Sequence, residues 1–93
     1  MPEPTTNDVV MSLAGHDRGK LFVVTGQTPD GRLLLCDGRT RKLSAPKSKS
    51  PKHTRVVLRG TPNVPGTDKA IRTTLALAAH SAAAKEERHL GER

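Results

Sequence analysis

Ninety-three residues, 33% of them hydrophobic and only one aromatic (Phe22), suit a single small domain with tails and exclude a large, uniformly packed core. The formal net charge is +7 and unevenly spread: residues 39–59 hold eight Lys or Arg and no acid, whereas residues 1–8 hold two acids and no base. A cationic stripe confined to part of a small domain points to a polyanion, where a scattered +7 would point to a solvated face.

Residues 1–7 read as a loose polar arm, with Pro2 and Pro4 among Thr and Asn. The start MPEPTTND has no basic n-region and no apolar h-region, so no secretory signal is expected. Three short aliphatic segments follow in close succession, VVMSL (9–13), KLFVVTG (20–26) and RLLLC (32–36). Each is β-branched or aliphatic and bounded by turn residues, the pattern of strands in a small sheet. Gly15 and Gly19 bracket the first connection, and Pro29-Asp30-Gly31 predicts a tight turn in the second, because proline presets φ and glycine accepts a positive one. Asp37-Gly38 predicts another tight turn, with a short strand through Lys42 and Leu43 after it.

Next comes RTRKLSAPKSKSPKHTR (39–55), in which eight of seventeen positions are Lys, Arg or His. The last strand is RVVLR (55–59), whose alternation puts Val56 and Leu58 on one face and Arg55, Val57 and Arg59 on the other. Strands at this spacing with no helix between them predict a small antiparallel barrel or sandwich over residues 8–59. Its expected core includes Val9, Leu21, Val23, Leu35 and Leu58. The basic stretch then lies between strands 32–36 and 55–59, expected as sheet neighbours, which makes it a presented loop held at both ends.

GTPNVPG (60–66) reads as a Pro/Gly linker. Thr67 or Asp68 is a good helix N-cap, and an Ala-rich helix is predicted over 67–90. Ile71, Leu75, Ala78 and Ala82 share one stripe, thin and mostly alanine, so the helix is expected to dock weakly on the sheet.

The segments SLAGHDRGKLFVVTG and DGRLLLCDGRTRKLSAPKSKSPKHTR resemble the KOW-domain family, most of all its bacterial RNA-binding members, which are similar to certain archaeal and eukaryotic large-subunit ribosomal proteins. The match runs from about Asp8 to about Arg59, and the signature glycine corresponds to Gly19. Gly-x-Asp-x-Gly-Lys carries the resemblance together with the downstream Asp-Gly, RKL and PK-x-K-x-x-KH. Many ribosomal units have a second glycine soon after the Gly-Lys pair, where this chain has Leu21, Phe22 and Val23. The resemblance implies an all-β, SH3-like barrel that binds structured RNA, commonly ribosomal, as a cytoplasmic, translation-related ribonucleoprotein component, with ribosomal proteins as further partners.

From the residues themselves, recognition of single-stranded bases needs aromatic platforms, and Phe22 sits in an apolar run that assigns it to the core. Phosphate and ribose contacts by cations remain. The expected RNA-binding residues are Arg18, Lys20, Arg39, Arg41, Lys42, Lys47, Lys49, Lys52, His53 and Arg55, with Gly19 as a structural turn. His16, Cys36, Asp37 and His53 match no zinc spacing, so no metal and no cofactor are expected. Nothing supplies Cys36 with a base and an oxyanion site, and no P-loop or dinucleotide motif appears, so no enzymatic activity is expected. The single cysteine excludes an internal disulfide and fits a reducing compartment. The apolar runs LLLC and LALAA are too short to cross a bilayer, so no membrane partner is expected. The competing reading is a protein-interaction module, partnered in transcription or ribosome assembly through the barrel and the helix.

Overall fold

The computed structural model describes the backbone of residues 4–60 and 66–91, with helix side chains described up to His80. The first three residues of the arm, linker positions 61–65 and Ala82 of the expected helix stripe lie outside the described residues. Strands β1 (Val9–Ser12), β2 (Leu21–Gln27), β3 (Leu33–Cys36), β4 (Lys47–Lys49) and β5 (Thr54–Leu58) form one antiparallel sheet in the order β4-β3-β2-β1-β5. Helix α1 spans Asp68–Gly91, and Pro51–His53 make a single 3-10 turn between β4 and β5.

Both faces of this sheet are dry. On one face Val10 stands opposite Phe22 and Val56, and Val24 opposite Leu35, so that Val10, Phe22, Val24, Leu33 and Leu35 form one buried cluster. On the other face Val9, Val23 and Cys36 align across three strands and meet Ile71 and Ala78 of α1. Leu21, Leu43, Val57 and Leu75 pack around that second cluster. Neighbouring residues of opposite parity, Val9 with Val10 and Phe22 through Val24, are therefore buried together, which explains runs such as FVV in place of strict alternation.

Several expectations change. Lys42 and Leu43 are not a strand; Leu43 begins a turn, and the fourth strand is Lys47–Lys49, inside the segment expected to be a loop. Lys-Ser-Lys becomes a strand because β3 offers it a hydrogen-bonding edge, with Leu33 opposite Lys49 and Leu35 opposite Lys47. Strands β3 and β5 are not neighbours: β5 pairs with β1, and β2 and β1 lie between it and β3. A bulge in the β1–β5 ladder sets Val9 opposite Leu58 but Val10 opposite Val56, leaving Val57 as the extra residue. The bulge breaks the expected alternation, so Val57 turns to the helix-side cluster and Leu58 is 38% exposed and outside the core. Val9, Val23 and Leu35 are buried as expected, and Leu21 is half-buried.

The helix does not sit apart from the sheet. The Thr67 hydroxyl accepts the Ala70 amide and caps α1, and the Asp68 carboxylate accepts the Leu43 amide at 2.9 Å. The Arg72 guanidinium donates to the Gly38 carbonyl at 2.6 Å. Gly38 is what allows this approach: at φ +77°, a Cβ there would lie 2.4 Å from the Asp68 carbonyl oxygen. At the other end of the sheet the arm is also tied down. Pro4 is buried, and buried Asp8 accepts the Thr5 and Gly60 amides and the Arg59 guanidinium. Among the described residues no helix is long and apolar enough to cross a membrane.

Candidate polyanion interface

Strand direction determines where the cations emerge. β1 ends at Ser12, β2 begins at Leu21 and β5 begins at Thr54, brought level by the pairs Met11–Leu21 and Ser12–Thr54, and β3, antiparallel to β2, runs toward the same end with its last residue Cys36 opposite Val23. The β1–β2 loop, the turns after β3 and the 3-10 turn before β5 therefore come out together. They carry Arg18 and Lys20, then Arg39, Arg41 and Lys42, then Lys52, His53 and Arg55. Backbone bonds fix the arrangement: the Ser12 amide donates to the Lys20 carbonyl, the Leu13 amide to the His53 carbonyl, and the Gly19 amide to the Ser12 carbonyl. Gly19 has φ +87° and is the positive-φ turn expected of it.

Arg18, Lys20, Arg39, Lys42, Lys52, His53 and Arg55 are exposed, and Arg41 is half-buried. Lys47 and Lys49 differ. The Lys47 ammonium pairs with the Asp17 carboxylate of the β1–β2 loop, and the Lys49 ammonium donates to the Ala14 carbonyl at 3.1 Å while its residue is only 8% exposed. Both side chains thus bind strand β4 to the β1–β2 loop. The hydrogen bond from Lys47, aided by its charge, holds the Asp17 carboxyl below its ordinary pKa. Asp17 is the signal that sequence reading passed over: the one acid within the β1–β2 loop selects a lysine from the basic segment.

No protein-family model matches the chain, and no curated protein matches it.

The Asp37–Arg41 turn is rigidly built. Asp37 Oδ1 accepts the amides of Arg39 at 2.9 Å and Arg41 at 2.8 Å, while the Asp37 amide donates to the Arg41 carbonyl at 2.8 Å. The turn thereby fixes the backbone that carries Arg39 and Arg41. Arg72, absent from the sequence-derived set, joins them through its bond to Gly38. Phe22, the sole Phe, Tyr or Trp, is buried, so the exposed surface offers no such ring as a stacking platform. Cys36 is buried between the sheet and α1, its thiol pushed up in pKa by burial, which keeps it protonated and unreactive. Among the described residues no cluster of His, Cys, Asp or Glu could hold a metal ion.

Proposed function

We propose that this protein is a KOW-type, SH3-like RNA-binding module that grips structured RNA, ribosomal RNA foremost, through phosphate and ribose contacts. The observation that carries this reading is the convergence of three cation-bearing segments, distant in sequence, at one end of one sheet. The lack of an exposed Phe, Tyr or Trp supports a mode that follows helical shape and charge density over base identity along most of the contact. Five short antiparallel strands, the Gly19 turn and the ties from β4 to the β1–β2 loop accord with the barrel the reading requires.

The test is a salt titration with a base-paired RNA hairpin. Arg39, Lys42 and Lys52 are exposed, and changing all three to Ala should flatten the plot of log affinity against log salt by about 2 units, at roughly 0.7–0.9 per phosphate contact. Removing Lys69, Lys85 and Arg88 of α1 subtracts the same formal charge and should leave the slope close to wild type. Equal losses in the two variants refute the site and leave only a diffuse positive field. Binding that ignores salt supports the protein-interaction reading instead.

A further inference from the structure

Between α1 and the Asp37–Arg41 turn lies an open groove of about 320 Å³, lined by Leu21, Asp37, Arg39, Arg72, Leu75, Ala76 and Ala79. That volume is at the small end of ligand sites, suited to one nucleotide and too small for a folded element. Its floor is aliphatic, from Leu21, Leu75 and two alanines. Its polar rim is two guanidiniums and one carboxylate, of which the Asp37 carboxylate and the Arg72 guanidinium are held by hydrogen bonds. Asp37 Oδ1 accepts two backbone amides, which fixes the plane of the carboxylate, and among the described residues no hydrogen bond reaches its Oδ2. Arg72 uses Nη1 on the Gly38 carbonyl and keeps donors on its other nitrogens. Arg39 is exposed, with its backbone pinned by Asp37.

We propose that this groove holds a single unstacked guanine of the bound RNA. The inference rests on the RNA-binding reading above and adds a base-specific point to a contact otherwise made by charge. A carboxylate oxygen needs a ligand edge rich in N–H donors, and guanidinium groups need an edge rich in acceptors. Guanine presents both on one flat ring: N1–H and N2–H2 on one edge, O6 and N7 on the next. Uracil and cytosine lack the second edge, and adenine offers one fewer donor beside its acceptors. With no aromatic residue in the lining, the ring lies between the aliphatic floor and a guanidinium plane, a stacking surface that arginine supplies. The nucleotide's phosphate then falls among the neighbouring cations Arg41 and Lys42.

Two measurements test the proposal. The first compares binding of one RNA hairpin carrying a single bulged nucleotide, G, A, C or U, to wild type and to Asp37→Asn. Asn keeps an oxygen for the Arg39 and Arg41 amides but replaces Oδ2 with an amino group, so the turn is preserved and the acceptor lost. Wild type should favour the G bulge by roughly ten-fold, and the variant should lose that preference without weaker binding of the U bulge. An Ala79→Phe variant, which fills the groove from an exposed position, should lose it too. Equal affinity of wild type for all four hairpins overturns the guanine site while leaving RNA binding intact. The second measurement is an amide NMR titration with guanosine monophosphate and, separately, uridine monophosphate. Shifts at Arg39, Ala76 and Ala79 with the guanosine nucleotide alone support the groove even if no hairpin binds, an outcome that would refute the RNA reading by itself. No shift with either nucleotide overturns the groove.

Discussion

Ile71 is the residue through which α1 belongs to the fold, and Ile71→Ala puts a magnitude on that. The side chain has no exposed surface and packs with Val9, Val23 and Cys36 on the sheet. The substitution removes three carbons, worth about 2.4 kcal/mol of transfer free energy at roughly 0.8 per buried methylene. A cavity remains, because β1, β2 and β3 are held by their own ladders and cannot collapse into it, and measured losses for such changes run about 2–5 kcal/mol. A loss of about 3 kcal/mol is expected, a large fraction of what a domain of this size has. At about 4–8 °C per kcal/mol, the melting temperature should fall by roughly 12–24 °C. Far-UV circular dichroism suits the measurement, since the single Phe gives little fluorescence, and helix-weighted and sheet-weighted wavelengths should melt together in wild type. Leu77→Ala, at a position 65% exposed on the same helix, should cost little and serves as the control. A loss below about 1 kcal/mol for Ile71→Ala, or a helix signal that melts well before the sheet in wild type, would show that the helix is an appendage and refute the two-faced core.

Two other outcomes follow from local geometry. Gly38→Ala and Gly19→Ala both place a side chain at positive φ, so each should cost about 1–2 kcal/mol from backbone strain. Only at Gly38 does the Cβ also meet the Asp68 carbonyl, so its urea midpoint should fall clearly further, and equal midpoints would refute the close approach of α1. The Asp17–Lys47 pair gives a pH signature. The folded Asp17 carboxyl ionises below its ordinary value of 3.8, so the unfolded chain takes up the proton first as pH falls. The pair's stabilisation, about 0.5–1 kcal/mol for a partly exposed ion pair, is complete above that ordinary value and is lost as pH drops through the folded one. Asp17→Asn should therefore be less stable than wild type at neutral pH, with the gap closing as the pH falls below the ordinary value of 3.8; a gap independent of pH would assign the effect to something other than ionisation.

How much could be read from the sequence depended on which interactions were local. Strands β1, β2 and β3, the positive-φ glycines at 19 and 31 and the Thr67 cap follow from apolar runs, turn residues and cap chemistry, all written within a few positions. Strand β4 was not legible, because Lys-Ser-Lys has no strand pattern of its own and takes its conformation from the free edge of β3. The bulge at Val57 was hidden for the same reason, being a property of the β1–β5 pairing. The helix stripe of Ile71, Leu75 and Ala78 was legible from its spacing, but not how near it comes to the sheet, which depends on small residues and on Gly38 and leaves Ile71 completely buried. At the candidate site, the exposed cations were legible as a composition, but the internal engagement of Lys47 and Lys49 needed Asp17 and Ala14 brought from thirty or more residues away.

The two-faced burial of the sheet changes what protects its strand register. In a sheet with one wet face, sliding a strand by one position drags its apolar set into water, and that penalty alone enforces the pairing. Here a slip of β1 or β2 would exchange Val9 and Val23 for Val10 and Val24, four valines that are all fully buried. Hydrophobicity cannot tell the two alignments apart. The discrimination falls to features that a slip would break outright: the Gly19 turn, the bulges at Thr25 and Val57, and the Asp8 carboxylate that ties the start of β1 to the chain leaving β5. Mutations at Gly19, Thr25 or Asp8, none of them in either apolar cluster, would therefore trade one ordered alignment for a mixture of two.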